Sequence, residues 1–483
     1  MTDFRPILLV IGVLLTTVAL AMLFPAIADS IDGNSGWRVF LASALVSLFI
    51  GVSLVLVNRG EPAKLSVRQA FLLTALSWIF ISAVAALPFV FADLGLSYTD
   101  AFFEAVSGLT TTGSTVIVGL DDAPPGILLW RAILQWLGGI GIIIMAVAVL
   151  PMLQVGGMQL FRTEQAADQS EKVLPRAAQI AGAIGIIYLA LTALNAICYW
   201  FAGMSTFEAV CHAMTTIATG GYSTSDESIG HFNSTGIEAI ATIFMVAGSL
   251  PFILYLQAAR GRARALITEN QVHWFIGIVL ACFFAMAAWL ASVESYTAGD
   301  AFRLSAFNVV SVMTGTGYAS ADYSLWGTFP VTLLFLLMFI GGCTGSTTGG
   351  IKIFRIHVLY TTARVQMLRL LQPHGVFLAH YNGKPIPEGI AGAVMGFFFL
   401  FALCFGILAV GLALFGLDFM TCLSGAASAL ANVGPGLGPI IGPSGSYAPL
   451  PDGAKWLLSF AMLLGRLELF TILVLFVPSF WRR

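Results

Sequence analysis

Ten stretches of the chain are apolar for long enough to cross a hydrocarbon core of about 30 Å. They lie near 7–28, 37–57, 71–91, 127–150, 180–202, 236–257, 272–291, 326–345, 389–415 and 454–477. A further stretch, 351–371, is amphipathic and continues the 326–345 run after an interruption at Gly341–Gly350. Four more segments, 99–111, 205–217, 300–313 and 418–431, are too apolar for plain loops and too short to span. Each has an acid at or near its start (Asp100, Glu208, Asp300, Asp418), as a helix N-terminus favours. They read as re-entrant helices, which membrane depth tolerates only when buried in protein or lining a cavity.

Each short helix runs into a glycine-rich loop: Thr110–Ser114, Ala218–Tyr222, Thr314–Tyr318 and Asn432–Gly436. The glycines 113, 221, 317 and 434 are 108, 96 and 117 residues apart, and each precedes another apolar run. The returning runs carry small residues at similar offsets. Gly138, Gly248, Gly341 and Gly465 fall 25, 27, 24 and 31 residues after the loop glycines, which permits close helix packing or a wide pore lining. The expectation is an all-α polytopic membrane protein: four pseudo-repeats of helix, pore helix, filter loop and helix around a central pore, plus an N-terminal helix pair. The divisions are 1–69 for the pair, then 70–176, 177–265, 266–383 and 384–483.

Composition agrees. Of 483 residues 58% are hydrophobic and 10% charged, with mean hydropathy +0.92, where a soluble domain carries about 25% charged residues. The run after Arg5 is too long for a signal-peptide core and is expected as a retained first helix. Six scattered cysteines form no CxxC and read as small buried hydrophobes. Of the 22 Lys and Arg, 17 fall in one set of loops and at the termini; the exceptions are Arg38, Arg131, Arg303, Lys455 and Arg466. The first set belongs in the cytoplasm, which puts both termini inside and all four glycine loops outside. A net charge of -2 gives no reason to expect nucleic acid.

Candidate chemistry follows from this frame. Glycine allows backbone conformations in which successive carbonyls point one way, and a ring of carbonyls can replace the water around a cation. The candidate ion site is Thr111, Thr112, Gly113, Thr219, Gly220, Gly221, Thr316, Gly317, Asn432, Val433 and Gly434. Backbone carbonyls near 111, 112, 219, 220, 316, 317, 433 and 434 are the expected ligands. The interruption in the third returning run cannot be a stable helix and reads as a movable gate: Gly341, Gly342, Thr344, Gly345, Ser346, Thr347, Thr348, Gly349 and Gly350. Arg466, placed in register with Gly139, Ser249 and Gly342, is expected on the pore face, with a pair to Glu468 as the alternative. Lys352 is a second charge near the pore. It is not a phosphate-loop lysine, because Ile353 follows it. Trp130 and Arg131 read as an interfacial anchor, His212 as a packing or hydrogen-bonding group, and Asp121 and Asp122 as solvated. The mixed-charge segments 162–176 and 351–388 are candidate docking surfaces, with solvated loops the default. No diphosphate site, HExxH or nucleophile with its base is present, so no enzyme is expected.

The four repeats, the Thr-Thr-Thr-Gly first loop, the Gly-Gly-Tyr-Ser second loop and the Asn-Val-Gly-Pro-Gly-Leu-Gly fourth loop resemble those of the TrkH family, within the Trk/Ktr/HKT superfamily of potassium transporters. The interruption at Gly341–Gly350, the Gly-Ile-Lys after it and Arg466 match the family's gating loop and basic residue in the last helix. The resemblance implies K⁺, or Rb⁺, as the transported ion, and a homodimer with one pore per protomer in a bacterial inner membrane. It also implies a cytosolic TrkA-like regulatory subunit that binds NAD(H) and ATP or ADP, with no nucleotide site on this chain. The alternative transport reading couples K⁺ to H⁺ or Na⁺, with Glu468 as the intramembrane carboxylate.

Overall fold

A computed structural model describes residues 3–60, 66–148, 173–293 and 296–482. Most of the candidate docking segment 162–176 lies outside these. Among the described residues, seven helices are long and apolar enough to span a membrane: Arg5–Ile31, Trp37–Val57, Val67–Phe91, Pro125–Met145, Gln179–Phe201, Asn270–Ala291 and Gly389–Ala413. Two further runs are helix pairs with a sharp bend, Thr235–Ser249 with Phe252–Ala259 (92°) and Asp452–Arg466 with Leu469–Phe476 (113°). The run 326–345 yields only the short helix Thr328–Met338. The expectation of continuous runs at 236–257 and 454–477 is therefore corrected, whereas the interruption of the third returning segment at Gly341–Gly350 is the one the sequence predicts. Each break has a local cause. Pro251 has no N–H to give a helix, Glu468 turns the chain at φ 62, and Gly341–Gly350 cannot hold a helix. The first returning helix, Pro125–Ala148, is unbroken.

The four short helices are Tyr98–Leu109, Thr206–Ile217, Ala298–Met313 and Phe419–Ala431. Their starts are fixed by side-chain caps. Ser97 and Asp100, and Ser205 and Glu208, form reciprocal capping boxes; Thr297 accepts from the Asp300 N–H and Asp418 from the Thr421 N–H. Their ends share one geometry. A left-handed residue follows each helix: Thr111, Thr219, Gly315 and Asn432, at φ 52, 50, 68 and 56. The next N–H then returns to the carbonyl five positions back, from Thr112 to Ser107, Gly220 to Thr215, Thr316 to Ser311 and Val433 to Ser428, at 2.9–3.0 Å. This closure satisfies carbonyls that a helix end otherwise leaves open and aims the chain sideways off all four helices alike.

The small residues of the returning helices act by close approach. Gly138 and Gly465 lie so near the carbonyls of Leu109 and Leu430 that a Cβ would overlap them, and Gly248 is similarly placed against Ile217. Those three carbonyls each stand four residues before a loop glycine. Each returning helix of repeats 1, 2 and 4 is thus a seat for the end of its own short helix. In repeat 3 Gly341 packs instead on Gly349 of its own interruption.

The N-terminal pair packs helix to helix through Gly12 and Gly51. It is tied to repeat 1 by Asp29, whose buried carboxylate accepts the Gly126 N–H at 2.6 Å near the start of the returning helix. The basic residues outside the expected cytoplasmic set are held by local partners. Arg131 pairs with Glu104, Arg303 with Glu238 and Lys455 with Asp100, at 2.8, 3.1 and 2.5 Å, while Arg38 lies over the Trp37 ring.

Replacing Gly138 with Ala is expected to unseat the first short helix and cost about 1–3 kcal/mol of stability. A thermal melt of the detergent-solubilised protein checks this; an unshifted midpoint would refute the packing role.

Candidate functional site: four loops in a closed ring

Beyond each helix end the backbone alternates in handedness. The left-handed residue is followed by one of negative φ and then by a glycine with positive φ: Gly113 at 87°, Gly221 at 78°, Gly317 at 78° and Gly434 at 109°. A side chain in that conformation is strained, and here there is no room for one either. A Cβ on Gly113 would overlap Gly220 O, one on Gly221 would overlap Thr316 O, and one on Gly317 would overlap Val433 O. One on Gly434 would come within 2.7 Å of Thr112 O. The four contacts close a circle in chain order. In every case the touching oxygen belongs to the residue just before the next glycine. The structure therefore brings all eleven residues of the candidate ion site to one place, with four equivalent carbonyls in register.

Most of those carbonyls are unoccupied by the protein. Among the described residues no donor reaches the oxygens of Thr111, Thr112, Thr219, Thr316, Gly317 or Val433. Two of the expected ligands differ. Gly434 O accepts from Ser114, Ser428 and Tyr447 hydroxyls at 2.7–2.8 Å, which turns it into the protein. Gly434 contributes its backbone shape, not its oxygen, and this corrects the expectation. Gly220 O accepts from Gln135 Nε2 at 2.6 Å. The hydroxyls of Thr112 and Thr316 point back to Thr110 and Thr314, each pair at 2.7 Å, and leave the ring to main-chain oxygens.

Cavities open on both sides. One of about 230 Å³ touches Gly113, Gly221, Gly317 and Pro435. The other, of about 20 Å³, is lined by Thr344, Gly345, Ser346, Gly349, Lys352, Arg466 and Glu468. Between the ring and the second cavity lies the Gly341–Gly350 interruption. It is folded and bonded to the elements around it. Thr347 Oγ1 donates to Ile217 O and Gly248 O at 3.0 Å, and Cys343 N–H donates to Ser249 O at 3.0 Å. Thr344 N–H donates to Gln271 at 2.9 Å, Ser346 bonds Thr348, and Gly342 N–H donates to Thr348 Oγ1. Gly349 packs against Ala431 O, at the end of the fourth short helix. Lys352 Nζ donates to Thr348 O and Oγ1 and so braces the same segment.

Arg466 is buried and donates to Thr347 O at 2.7 Å and to Gly138 O at 3.4 Å. It grips the interruption, where sequence register suggested only a charge facing the pore. Its alternative pairing with Glu468 does not form. Glu468 pairs instead with the buried Arg355 at 2.6 Å, which joins the helices that follow two of the breaks. The interfacial-anchor reading of Trp130 and Arg131 is also corrected: both are buried, Trp130 donating to Ala85 O and Arg131 pairing with Glu104. His212 is buried between Glu208 O and Ser223 Oγ, a hydrogen-bonding group as expected. Asp121 and Asp122 are exposed. The Ser225 hydroxyl, with the Asp226 N–H and His231, holds the Asp121 carboxyl below its usual range.

Sequence reasoning passed over several residues that hold the ring. Tyr222 donates to Glu104 O and Tyr318 to His212 O. Each tyrosine follows its ring glycine, and each acceptor stands nine residues before the ring glycine of the preceding repeat. The Tyr after Gly in two of the four loops was the available signal. Asn432 Nδ2 spans from loop 4 to Thr112 Oγ1 at 2.9 Å.

Residues 36–483 match the profile of the TrkH family, described as cation transport proteins. The chain is 46% identical to the Trk system potassium uptake protein TrkI of Halomonas elongata, over 99% of this chain and 97% of that one. It is 40% identical to TrkH of Escherichia coli over 99% of both. The crystal structure of the potassium transporter TrkH from Vibrio parahaemolyticus superposes with a TM-score of 0.93 over the whole of both chains, at 38% identity.

Conformation and crowding at the glycines are separable. Gly345 has φ 79 but open space where a Cβ would go, whereas Gly221 has φ 78 and none. Gly345→Ala is expected to cost about 1–2 kcal/mol and Gly221→Ala about 1–3 kcal/mol more. Paired thermal melts check the order; equal losses would show that crowding contributes nothing.

Proposed function

The chain belongs to the TrkH family of cation transport proteins, and we propose that it takes up K⁺ across a bacterial inner membrane through the four-loop ring. The observation that carries this reading is the closed circle of glycine-to-carbonyl contacts, which sets four main-chain oxygens in register. A cation entering from the larger cavity exchanges water for the carbonyls of Thr111, Thr112, Thr219, Thr316, Gly317 and Val433, with Gly220 O shared with Gln135. The ends of four helices, each carrying partial negative charge, converge there and favour a cation. Rb⁺ is expected to substitute for K⁺. The membrane potential drives the ion, at about 2.3 kcal/mol per charge per 100 mV.

The Gly341–Gly350 segment is the gate, and its contacts with Ile217, Gly248 and Arg466 support a closed state beneath the ring. Opening requires those bonds to break together. A cytosolic TrkA-like subunit that binds NAD(H), ATP or ADP supplies that work, acting on a homodimer with both termini cytoplasmic. The distribution of Lys and Arg supports this orientation. No catalytic group enters the mechanism.

The test is ⁸⁶Rb⁺ uptake into proteoliposomes with K⁺ and Na⁺ as competitors. Gly113→Ser and Gly434→Ser are expected to lower the preference for K⁺ over Na⁺ by roughly tenfold, the effect of misplacing ligands by about 1.4 kcal/mol. Well-folded variants with unaltered ion preference would rule the ring out as the ion site.

The gate has its own test. Arg466→Gln removes the donor to Thr347 O, and shortening 341–350 removes the plug. Both are expected to raise Rb⁺ uptake in the absence of the regulatory subunit, on the order of tenfold for the loss of one charge-assisted hydrogen bond. Uptake that stays at the parent level in both variants would refute the assignment.

A further inference from the structure

The four returning helices are not equivalent where they face the ring. Three residues before Gly248, Gly341 and Gly465, repeats 2, 3 and 4 carry Met245, Met338 and Met462. All three are buried. Repeat 1 carries Gln135 there, also buried. One turn earlier, the same three repeats carry Ala241, Leu334 and Leu458, and repeat 1 carries Arg131. Residues four apart share a helix face, so two polar side chains project from one stripe of the first returning helix at depths where the other repeats are apolar.

Both reach across to the second loop. Gln135 Nε2 donates to Gly220 O at 2.6 Å, and Gln135 Oε1 accepts the Tyr222 N–H at 3.0 Å. Only one orientation of the amide satisfies both bonds. Arg131 Nη1 donates to Ser223 O at 2.8 Å, its Nε pairs with Glu104 at 2.8 Å, and its guanidinium lies over the Tyr222 ring at 4.0 Å. Glu104 in turn takes the Val116 N–H at 2.9 Å and the Thr115 hydroxyl at 3.0 Å, in the segment leaving the first loop. Residues 220–223 and 115–116 are thereby held from one helix. A buried ion pair adds little stability over apolar packing of the same volume, and its better attested use is to fix one arrangement among several.

We propose that Gln135 and Arg131 are positioning residues for ion discrimination: they clamp the loops of repeats 1 and 2 so that the Gly220 carbonyl cannot close on an ion smaller than the one the ring fits. Gln135 holds that oxygen back directly. Arg131, through Glu104 and Ser223, sets the spacing of the two loops behind it. Among the described residues the remaining corners do without this device, so the clamp makes one wall of the ring stiffer than the others. The proposal rests on the ring being the ion site.

The experiment is competition of ⁸⁶Rb⁺ uptake by Na⁺ and K⁺ in proteoliposomes of the full-length protein. Gln135→Met gives repeat 1 the residue of the other three repeats and is close to isosteric. Arg131→Lys keeps the charge and loses the fork that reaches two acceptors. Both are expected to make Na⁺ a better competitor by roughly tenfold, with a smaller fall in maximal Rb⁺ uptake. Tyr222→Phe removes one hydroxyl and keeps the bulk, and a shift of the same sign and smaller size is expected. Should Arg131→Lys fail to fold, Gln135→Met and Tyr222→Phe decide the matter. Unchanged Na⁺ competition in these variants, alongside a shift in Gly113→Ser, would overturn the clamp and leave the ring standing. Unchanged competition in Gly113→Ser as well would remove the ring and the clamp with it.

Discussion

The contact between a glycine Cα and the main-chain oxygen of the next loop governs this molecule. It occurs at all four corners, between Gly113 and Gly220, Gly221 and Thr316, Gly317 and Val433, and Gly434 and Thr112. Such closeness requires residues without a Cβ, with backbones already bent the right way before they meet. The capped starts, the shared turn at each helix end and the small residues beneath Leu109, Ile217 and Leu430 all serve that approach. A loop that arrived at another angle would put a carbonyl where the neighbouring glycine must go.

Polar groups at depth are costly in a membrane unless each has a partner, and the partners here are informative. Arg466 ends on Thr347 and Gly138, Arg355 on Glu468, and Lys352 on Thr348. All lie at or beside breaks in returning helices, where irregular backbone leaves carbonyls in need of donors. The breaks and the buried charges are two halves of one arrangement: main-chain oxygens hold Arg466 and Lys352, the Glu468 carboxylate holds Arg355, and the cations in turn brace the irregular segments. Family membership and the match to a solved transporter fit a molecule whose unusual features concentrate along one axis.

The fourfold pattern is only approximate, and the departures fall into two groups. On the ring itself, loop 1 and loop 2 are clasped by Glu104, Arg131, Gln135 and Tyr222, and loop 2 and loop 3 by Tyr318. Loop 4 and loop 1 are joined through Asn432, Ser114 and Tyr447. Repeat 3 breaks its returning helix over ten residues, and these bond to Ile217 O and Gly248 O of repeat 2 and pack on Ala431 O of repeat 4. A single chain can differentiate its repeats in this way, which identical subunits around an axis cannot.

Much of this was legible in the sequence because it depends on short-range chemistry. Apolar run length marks the spans, acids mark the starts of the short helices, and glycines mark where a backbone turns. These read nearly to the residue: 99–111, 205–217, 300–313 and 418–431 against Tyr98–Leu109, Thr206–Ile217, Ala298–Met313 and Phe419–Ala431. Partners distant in the chain were not legible. Glu468 and Arg466 are two residues apart, yet one bonds Arg355 and the other Thr347, because the chain turns between them at a φ that no pattern of hydrophobicity encodes. Arg131 and Trp130 read as an anchor since an arginine beside a tryptophan commonly sits at a membrane surface; only the fold shows Glu104 waiting inside. The fate of the Gly434 carbonyl depended on three hydroxyls from Ser114, Ser428 and Tyr447. Sequence alone determined the short helices, most of the spans and the four points where the loops turn, but not the bends at Pro251 and Glu468. Tertiary structure decided which oxygens face the axis, because a carbonyl's direction is set by the donors that reach it, and those come from elsewhere in the chain.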